Sequence, residues 1–114
     1  MALSSGPKTA FGDFACLVRF NTTGKIDARN GAAYEAANDI HFAAAVKYTF
    51  RLVVNVPART YSIYVTPAGG AEQTVGTDFA FRTTAGAVTN LDNWGVIVDI
   101  TTGSNTVCNF KVVP

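Results

Sequence analysis

Aromatic side chains beside amide and carboxyl groups are the residues of this sequence whose types and spacing could do chemistry. The apolar face of a sugar ring stacks on an aromatic ring, and its hydroxyls need planar polar partners such as Asn or Asp. Tyr34 lies in a polar stretch between turns, and Trp94 follows the pair Asp92-Asn93. Tyr64 is out of phase with the apolar residues of its strand, so it should point away from the core. These five residues are the predicted carbohydrate-binding residues.

Core roles compete with binding roles for several aromatic residues. Trp94 is in phase with Val96 and Val98, so the same spacing also fits a ring in the core. The sequence leaves both roles open for this tryptophan. Five phenylalanines are expected in the core, namely Phe14, Phe20, Phe50, Phe81 and Phe110.

Catalysis has less support than binding. A glycosidase needs two carboxylates facing each other across a cleft, and spacing marks no such pair here. His41, the only histidine, is the candidate base for lyase chemistry, beside Tyr34 or Tyr64. It lies between Ile40 and Phe42, a setting in which a histidine usually has a structural role. Because a GxSxG motif and a phosphate-binding glycine loop are also absent, we predict that the protein is not an enzyme.

No cofactor is predicted, and calcium is the metal that the sequence leaves open. Calcium takes about six to eight oxygen ligands, and Asp78, Asp92 and Asn93 could supply some of them. The DxDxDG spacing is absent, so no ligand set is assigned. A Cys/His zinc site would be short of ligands, because there is one histidine and no CxxC motif.

A long antiparallel hairpin is the element that must position these residues. In the stretch Tyr48–Thr66, apolar residues alternate with polar ones on both sides of a break, which is the strand signal. Pro57 lies in the break, where its missing N–H removes no ladder hydrogen bond. A lone hairpin is marginal in water, so the rest of the chain must cover its apolar face.

Short strands separated by turn residues are predicted through the rest of the chain. Residues 32–45 are ambiguous, because their alanines favour a helix by propensity. We predict two short strands there, because Asn30-Gly31 is a hairpin signal and the neighbouring segments are β. The other predicted strands cover residues 14–20, 25–29, 73–75, 79–81, 91–100 and 106–113. The fold class is therefore all-β, an antiparallel sandwich or barrel.

A single domain is expected at this length. Residues 1–13 contain the run Ser4-Ser5-Gly6-Pro7 and are predicted to be an irregular lead-in. Residues 14–114 then form one compact domain.

The composition excludes several classes of protein. Charged residues make up 15% of the chain and hydrophobic residues 48%, which is not the composition of a disordered protein. The net charge is +1 and the basic residues are scattered singly, which argues against a nucleic-acid partner. No apolar run approaches the roughly 20 residues of a membrane span, so no membrane partner is predicted. No signal peptide is visible at the N-terminus.

Several segments together resemble a known family. They are DFACLVRFN, GKIDARNG, YTFRLVVNVPARTYSIYVTPAGG, TDFAFRT, LDNWG and TVCNF. The chain resembles the concanavalin A-like (laminin-G-like) jelly-roll domains that are appended to secreted bacterial and metagenomic enzymes degrading polysaccharides. The resemblance implies a jelly-roll β-sandwich, secretion, and an attached catalytic domain in the full-length protein. It also implies a non-catalytic module that adheres to a plant-type polysaccharide such as a β-1,4-glucan.

The resemblance also bears on the two cysteines and on assembly. Taken alone, the sequence allows Cys16 and Cys108 to be either a disulfide or two buried thiols; the resemblance favours the disulfide. Fuller family domains carry further strands before the segment at Phe14. An open sheet edge is a template for another chain, so a homodimer is expected. The alternative functions are a structural or assembly domain that pairs with another chain and, with less support, a small polysaccharide lyase or glycosidase.

Overall fold

Two antiparallel sheets make up the computed structural model, which describes residues 1–96 and 110–112. The strands are β1 (Ala2–Ser4), β2 (Cys16–Phe20), β3 (Ile26–Asn30), β4 (Ala33–Glu35), β5 (Tyr48–Asn55), β6 (Thr60–Pro67), β7 (Gln73–Ala80) and β8 (Asn93–Gly95). Short 3-10 turns occur at Phe11–Asp13 and Thr83–Ala85. The all-β prediction is confirmed. The predicted strand at 106–113 and most of the one at 91–100 lie outside the described residues.

The first four strands form one meander, to which β8 is added beside β1, and β5 to β7 form a second meander. The first sheet has the order β4-β3-β2-β1-β8 and the second has the order β5-β6-β7. The predicted central hairpin is β5 paired with β6, from Tyr48 opposite Pro67 to Asn55 opposite Thr60. The jelly-roll connectivity stays a prediction. Within the described part of the chain, no helix is long and apolar enough to cross a membrane.

The N-terminal segment is more ordered than the sequence indicates. Ala2–Ser4 forms β1, which pairs with β2 on one side and β8 on the other. The predicted lead-in over residues 1–13 is therefore irregular only after Ser4. A strand of three residues is too short to show a period-2 pattern, and the turn residues that follow it hide it further.

Both sheets bury residues in one core. From the first sheet come Cys16, Val18, Ile26 and Ala28, and from the second come Tyr61, Ile63, Val65, Val75 and Phe79. Phe14 and Phe81 are buried as predicted, each 2% exposed, with Phe81 in this core and Phe14 in a second cluster beside Ala2 and Leu17. The predicted core role is wrong for Phe20 and Phe110, which are 40% and 37% exposed. Phe20 ends β2 and packs at the rim of the core against an aromatic group of Phe42, Tyr48 and Phe50.

The segment after Asn30-Gly31 is a hairpin followed by irregular chain. Asn30 pairs with Ala33, and Gly31 has a φ of +61°, a conformation that favours glycine in a two-residue hairpin turn. Between β4 and β5 the chain makes a single isolated β-bridge, from His41 to Lys25. Residues 32–45 therefore contain no helix, as predicted, but form one short strand and an isolated bridge.

Candidate functional site

A surface cavity of about 330 Å³ opens beside β3, β4 and the chain that follows β4. Its lining contains one aromatic ring, that of Tyr34, and a set of planar polar side chains. Among the residues that the structure describes, these are Asn21, Asp27, Glu35, Asn38 and Asp39, and Lys25 adds a cation. Amide and carboxylate groups around an aromatic ring are able to bind a hydroxyl-rich ligand. Tyr34 is one of the five predicted carbohydrate-binding residues, and the cavity places it among polar partners.

The register of the first sheet brings Tyr34 to this position. Arg29 of β3 lies opposite Tyr34 of β4, and Arg19 of β2 lies opposite Asp27 of β3. Ile26 and Ala28 of β3 point into the core, so these four residues share the outer face of the sheet. The tight turn at Gly31 sets the register of β3 against β4, because a two-residue loop allows only one alignment of the two strands.

Arg19 fixes one side of the site. Its guanidinium carbon lies 3.6 Å from the centre of the Tyr34 ring. Arg19 Nε and Nη2 also donate to the two carboxylate oxygens of Asp27, at 2.7 and 3.1 Å. Asn21 Nδ2 donates to the same carboxylate at 3.0 Å. The hydrogen bond to Asp27 raises the pKa of Arg19, which favours the charged form of the guanidinium.

Two further arginines approach the same ring. Arg82 Nη2 donates to the Tyr34 hydroxyl at 3.0 Å, and the Arg82 side chain is buried. Arg29 lies 5.0 Å from the ring centre and donates from Nε to the carbonyl of Gly31 at 2.9 Å. The sequence does not mark these arginines as site residues, because they are scattered singly along the chain. The hairpin signal at Asn30-Gly31 could have placed Arg29 opposite Tyr34, but no local signal places Arg82.

Tyr64 lies on the second sheet, on the outer face as predicted. It is half-buried in β6, with the Arg51 guanidinium carbon 4.1 Å from its ring centre. Arg51 also holds Glu72 through Nε and Nη2, at 3.1 and 2.7 Å. This tyrosine therefore has a guanidinium over its ring and a carboxylate that balances the charge.

Trp94 lies at the surface rather than in the core. It is in β8 opposite Leu3, is 44% exposed, and stacks on Phe110 with ring centres 4.2 Å apart. β8 and β4 are at opposite edges of the first sheet. The structure therefore does not bring Trp94, Tyr64 and Tyr34 into one site. Val98, which suggested the core role, lies outside the described residues.

Asp92 and Asn93 hydrogen bond to protein groups. The Asp92 carboxylate accepts from the backbone N–H of Gly6 at 2.7 Å and from Asn93 Nδ2 at 2.8 Å. Nearby, Ser5 Oγ donates to Asn90 Oδ1 at 2.6 Å. These hydrogen bonds attach the segment after β1, at Ser5 and Gly6, to the segment before β8, at Asn90 and Asp92. The two hydrogen bonds lower the pKa of Asp92, that from Gly6 having the larger effect.

This attachment should depend on pH. Because the pKa of Asp92 is lower when folded, its stabilising effect is complete above the unfolded value of about 3.9 and is lost as the pH falls through the folded value. We expect Asp92→Asn to lower the melting temperature slightly at neutral pH and not in strong acid. The exposed Asp13 provides the control variant, Asp13→Asn. An Asp92→Asn effect of equal size at both pH values would contradict this role.

His41 has an acidic partner and no tyrosine among its described contacts. His41 Nε2 lies 3.2 Å from Asp39 Oδ2, and Lys25 Nζ lies 2.8 Å from Asp39 Oδ1. The hydrogen bonds from Lys25 and His41 lower the pKa of Asp39, that from Lys25 having the larger effect. The predicted placement of His41 beside Tyr34 or Tyr64 therefore finds no support in these contacts. Across residues 1–96 and 110–112, no cluster of three or more His, Cys, Asp or Glu side chains could hold a metal ion, so calcium has no assigned ligands.

The predicted disulfide can be described at one end only. Cys16 is fully buried in β2, and burial raises the pKa of its thiol. Cys108 lies outside the described residues, so the Cys16–Cys108 disulfide stays a prediction.

Comparison with known proteins gives one similarity. Over 83 residues, 72% of this chain, the sequence is 30% identical to a curated protein from a Bacillus species named gellan lyase. This chain spans about 3% of that protein's length. No family model matches the chain, and no solved structure matches it.

Proposed function

We propose that this chain is a non-catalytic carbohydrate-binding module that adheres to a polysaccharide. The cavity around Tyr34 carries the proposal, because it combines an aromatic ring with planar amide and carboxylate groups on the outer face of the first sheet. The similarity to a protein named gellan lyase supports a polysaccharide-related role. Adhesion of this kind would raise the local concentration of an attached catalytic domain at its substrate.

The polar groups of the cavity differ in how freely they can meet a ligand. The Asp27 carboxylate is already occupied by Arg19 and Asn21. Asn38 Nδ2 donates to the backbone carbonyl of Thr74 at 2.9 Å, which fixes the amide. Its oxygen has no partner among the described residues and could accept from a sugar hydroxyl. A volume of about 330 Å³ is at the lower end of the range for ligand pockets. The cavity is therefore suited to a short segment of a glycan chain.

Finer features follow from the family resemblance and belong to the same proposal. They are a β-1,4-glucan or related β-glucan as ligand, jelly-roll connectivity, secretion, and an attached catalytic domain. The expected homodimer has a candidate contact at β5, which is an edge strand of the second sheet as described and carries the exposed residues Thr49, Arg51, Val53 and Asn55. An exposed edge strand pairs readily with another chain.

Alanine substitution of the two outer-face tyrosines tests the proposed site. Calorimetric titration with soluble β-glucan oligosaccharides should show Tyr34→Ala binding about tenfold more weakly, because a buried aromatic contact is typically worth more than about 1 kcal/mol. Tyr64→Ala is the matched control, since its ring also lies under an arginine but lines no part of the cavity. Trp94→Ala should likewise bind as the parent does. Loss of binding in Tyr64→Ala or Trp94→Ala alone would move the site away from Tyr34.

A lyase is the second candidate function. The Tyr34 hydroxyl lies 3.0 Å from Arg82 Nη2, and a phenol beside arginines could act as an acid or base next to a sugar carboxylate. A lyase forms an unsaturated sugar that absorbs ultraviolet light. Incubation with acidic and neutral polysaccharides should give no such absorbance if the chain is a binding module. Absorbance that appears with the parent and disappears with Tyr34→Phe would favour the lyase.

A further inference from the structure

We propose that the glycan held beside Tyr34 carries carboxylate groups, and that the arginines around Tyr34 recognise them. The ligand class would be a polysaccharide containing uronic acid residues. This inference rests on the proposed function, because it names the substrate class of the same site.

The first argument is the charge around the ring. Three guanidinium carbons lie 3.6, 5.0 and 6.0 Å from the centre of the Tyr34 ring, those of Arg19, Arg29 and Arg82. The Asp27 carboxylate pairs with Arg19. Arg29 and Arg82 donate to a backbone carbonyl and to a phenol, which are neutral acceptors. Two positive charges are thus held together without a carboxylate among the described contacts, and an anion bound there would relieve their repulsion.

The other carboxylates of the cavity already have partners. Asp39 is paired with Lys25 and His41. Glu35 accepts from Asn30 Nδ2 at 3.0 Å. Neither of these carboxylates appears among the contacts of Arg29 or Arg82. A ligand carboxylate would therefore find the guanidinium groups of Arg29 and Arg82 not yet paired with a carboxylate among the described residues.

The second argument is the hydrogen bonding of Arg82. Arg19 and Arg51 each hold a carboxylate with the edge formed by Nε and Nη2. Arg82 uses Nη2 of the same edge for the Tyr34 hydroxyl, and its Nε is buried with no hydrogen-bond partner among the described residues. A buried N–H without an acceptor is unfavourable. A carboxylate oxygen beside the Tyr34 hydroxyl would complete this edge as Asp27 completes that of Arg19.

Planar geometry favours a sugar carboxylate over a sulfate ester. A guanidinium edge matches the two coplanar oxygens of a carboxylate in a bidentate contact. The amide groups of Asn21 and Asn38 in the adjoining cavity suit sugar hydroxyls. A uronic acid residue has both groups on one ring.

The test compares a uronate-containing polysaccharide with the same polymer after its carboxyl groups have been reduced to hydroxyls. Affinity electrophoresis and calorimetry should show the acidic polymer binding at least about tenfold more tightly, with affinity that falls as salt is added. Equal binding of both polymers would overturn this inference while the carbohydrate-binding function stands. Binding of neither polymer, nor of a neutral β-glucan, would overturn both. Equal affinity for a sulfated dextran would show a general polyanion site and would overturn the preference for carboxylates.

Substitutions of Arg29 and Arg51 test which arginine gives the preference for the acidic polymer. Arg29→Gln removes a half-exposed charge near Tyr34 and should abolish the preference for the acidic polymer over the reduced one. Arg51→Gln is the matched control, because Arg51 also lies over a tyrosine ring but on the other sheet. If Arg29→Gln does not fold, Arg29→Lys keeps the charge without the planar edge and should retain only part of the preference. An equal loss in Arg51→Gln, or no loss in either Arg29 variant, would overturn the assignment.

Discussion

Replacing Tyr61 by alanine is expected to lower the free energy of unfolding by about 3–5 kcal/mol, the usual range for removing a fully buried aromatic ring. Tyr61 is 1% exposed and lies in β6, where it packs between the two sheets. Its ring centre lies 6.3 Å from that of Phe81.

The hydroxyl of Tyr61 has a separate role at the end of the β2–β3 ladder. The last regular pair of that ladder is Val18 with Ala28. Beyond it, the Tyr61 hydroxyl donates to the carbonyl of Arg29 and accepts from the backbone N–H of Leu17. Burial raises the pKa of Tyr61, so the hydroxyl stays protonated. It thereby satisfies backbone groups that the two strands no longer satisfy for each other.

Tyr61→Phe isolates this role. The ring is kept and the backbone groups of Leu17 and Arg29 lose their partner, so the expected loss is about 1–3 kcal/mol. Tyr64→Phe is the control three positions along the same strand, on the outer face, and should change stability by less than about 0.5 kcal/mol. Urea unfolding of the three variants measures these differences. A Tyr61→Phe protein as stable as the parent would mean that water or a shifted backbone replaces the hydroxyl.

The hairpins of this fold are predictable because their signals are local. Alternation in β5 and β6 gives both the strands and the buried face, and Asn30-Gly31 gives the turn between β3 and β4. β1 is different: its three residues, Ala2–Ser4, carry no pattern of their own. They become a strand because Ala2 and Leu3 find backbone partners on β2 and β8. A strand defined by its neighbours cannot be deduced from its own residues.

The site was predictable only in part for the same reason. The sequence identifies Tyr34 as an aromatic residue in a polar stretch, but the residues around it come from distant segments. Arg19 and Arg29 reach it through strand pairing, which the hairpin turn could have indicated. Arg82 reaches it because its backbone N–H donates to the carbonyl of Ala15 at 2.9 Å, a long-range contact with no sequence signature. Trp94, by contrast, looked equally suited to the core, because a three-residue strand does not fix which face is buried.

Gly76 marks a different kind of irregularity, because the sequence suggests a break at this glycine whereas β7 runs through it. Tyr61 pairs with Phe79 and Ile63 pairs with Gly76, so two steps along β6 correspond to three along β7. The extra residue is a bulge, with Asp78 at a φ of +52°. The bulge lets the buried Phe79 ring turn back over Gly76, where an added Cβ would lie 2.3 Å from Phe79 Cζ.

Gly76→Ala is therefore expected to lower the free energy of unfolding by about 1–3 kcal/mol, as overpacking in a core does. At an unstrained position, Gly→Ala would instead raise the free energy of unfolding, because alanine restricts the unfolded chain. Gly12→Ala is the control, since a Cβ at Gly12 meets nothing within 4 Å. Urea unfolding of both variants should therefore separate them clearly.

A double variant tests the cause of this loss. In a Phe79→Leu background the smaller side chain no longer fills the space over Gly76, so Gly76→Ala should cost much less there than in the parent. If Gly76→Ala lowers the free energy of unfolding equally in both backgrounds, the loss comes from the backbone of the bulge and not from contact with the Phe79 ring. Because Phe79 pairs with Tyr61 across β6 and β7, displacement of its ring should also weaken the packing of Tyr61. The Gly76→Ala and Tyr61→Phe effects should then be less than additive when combined.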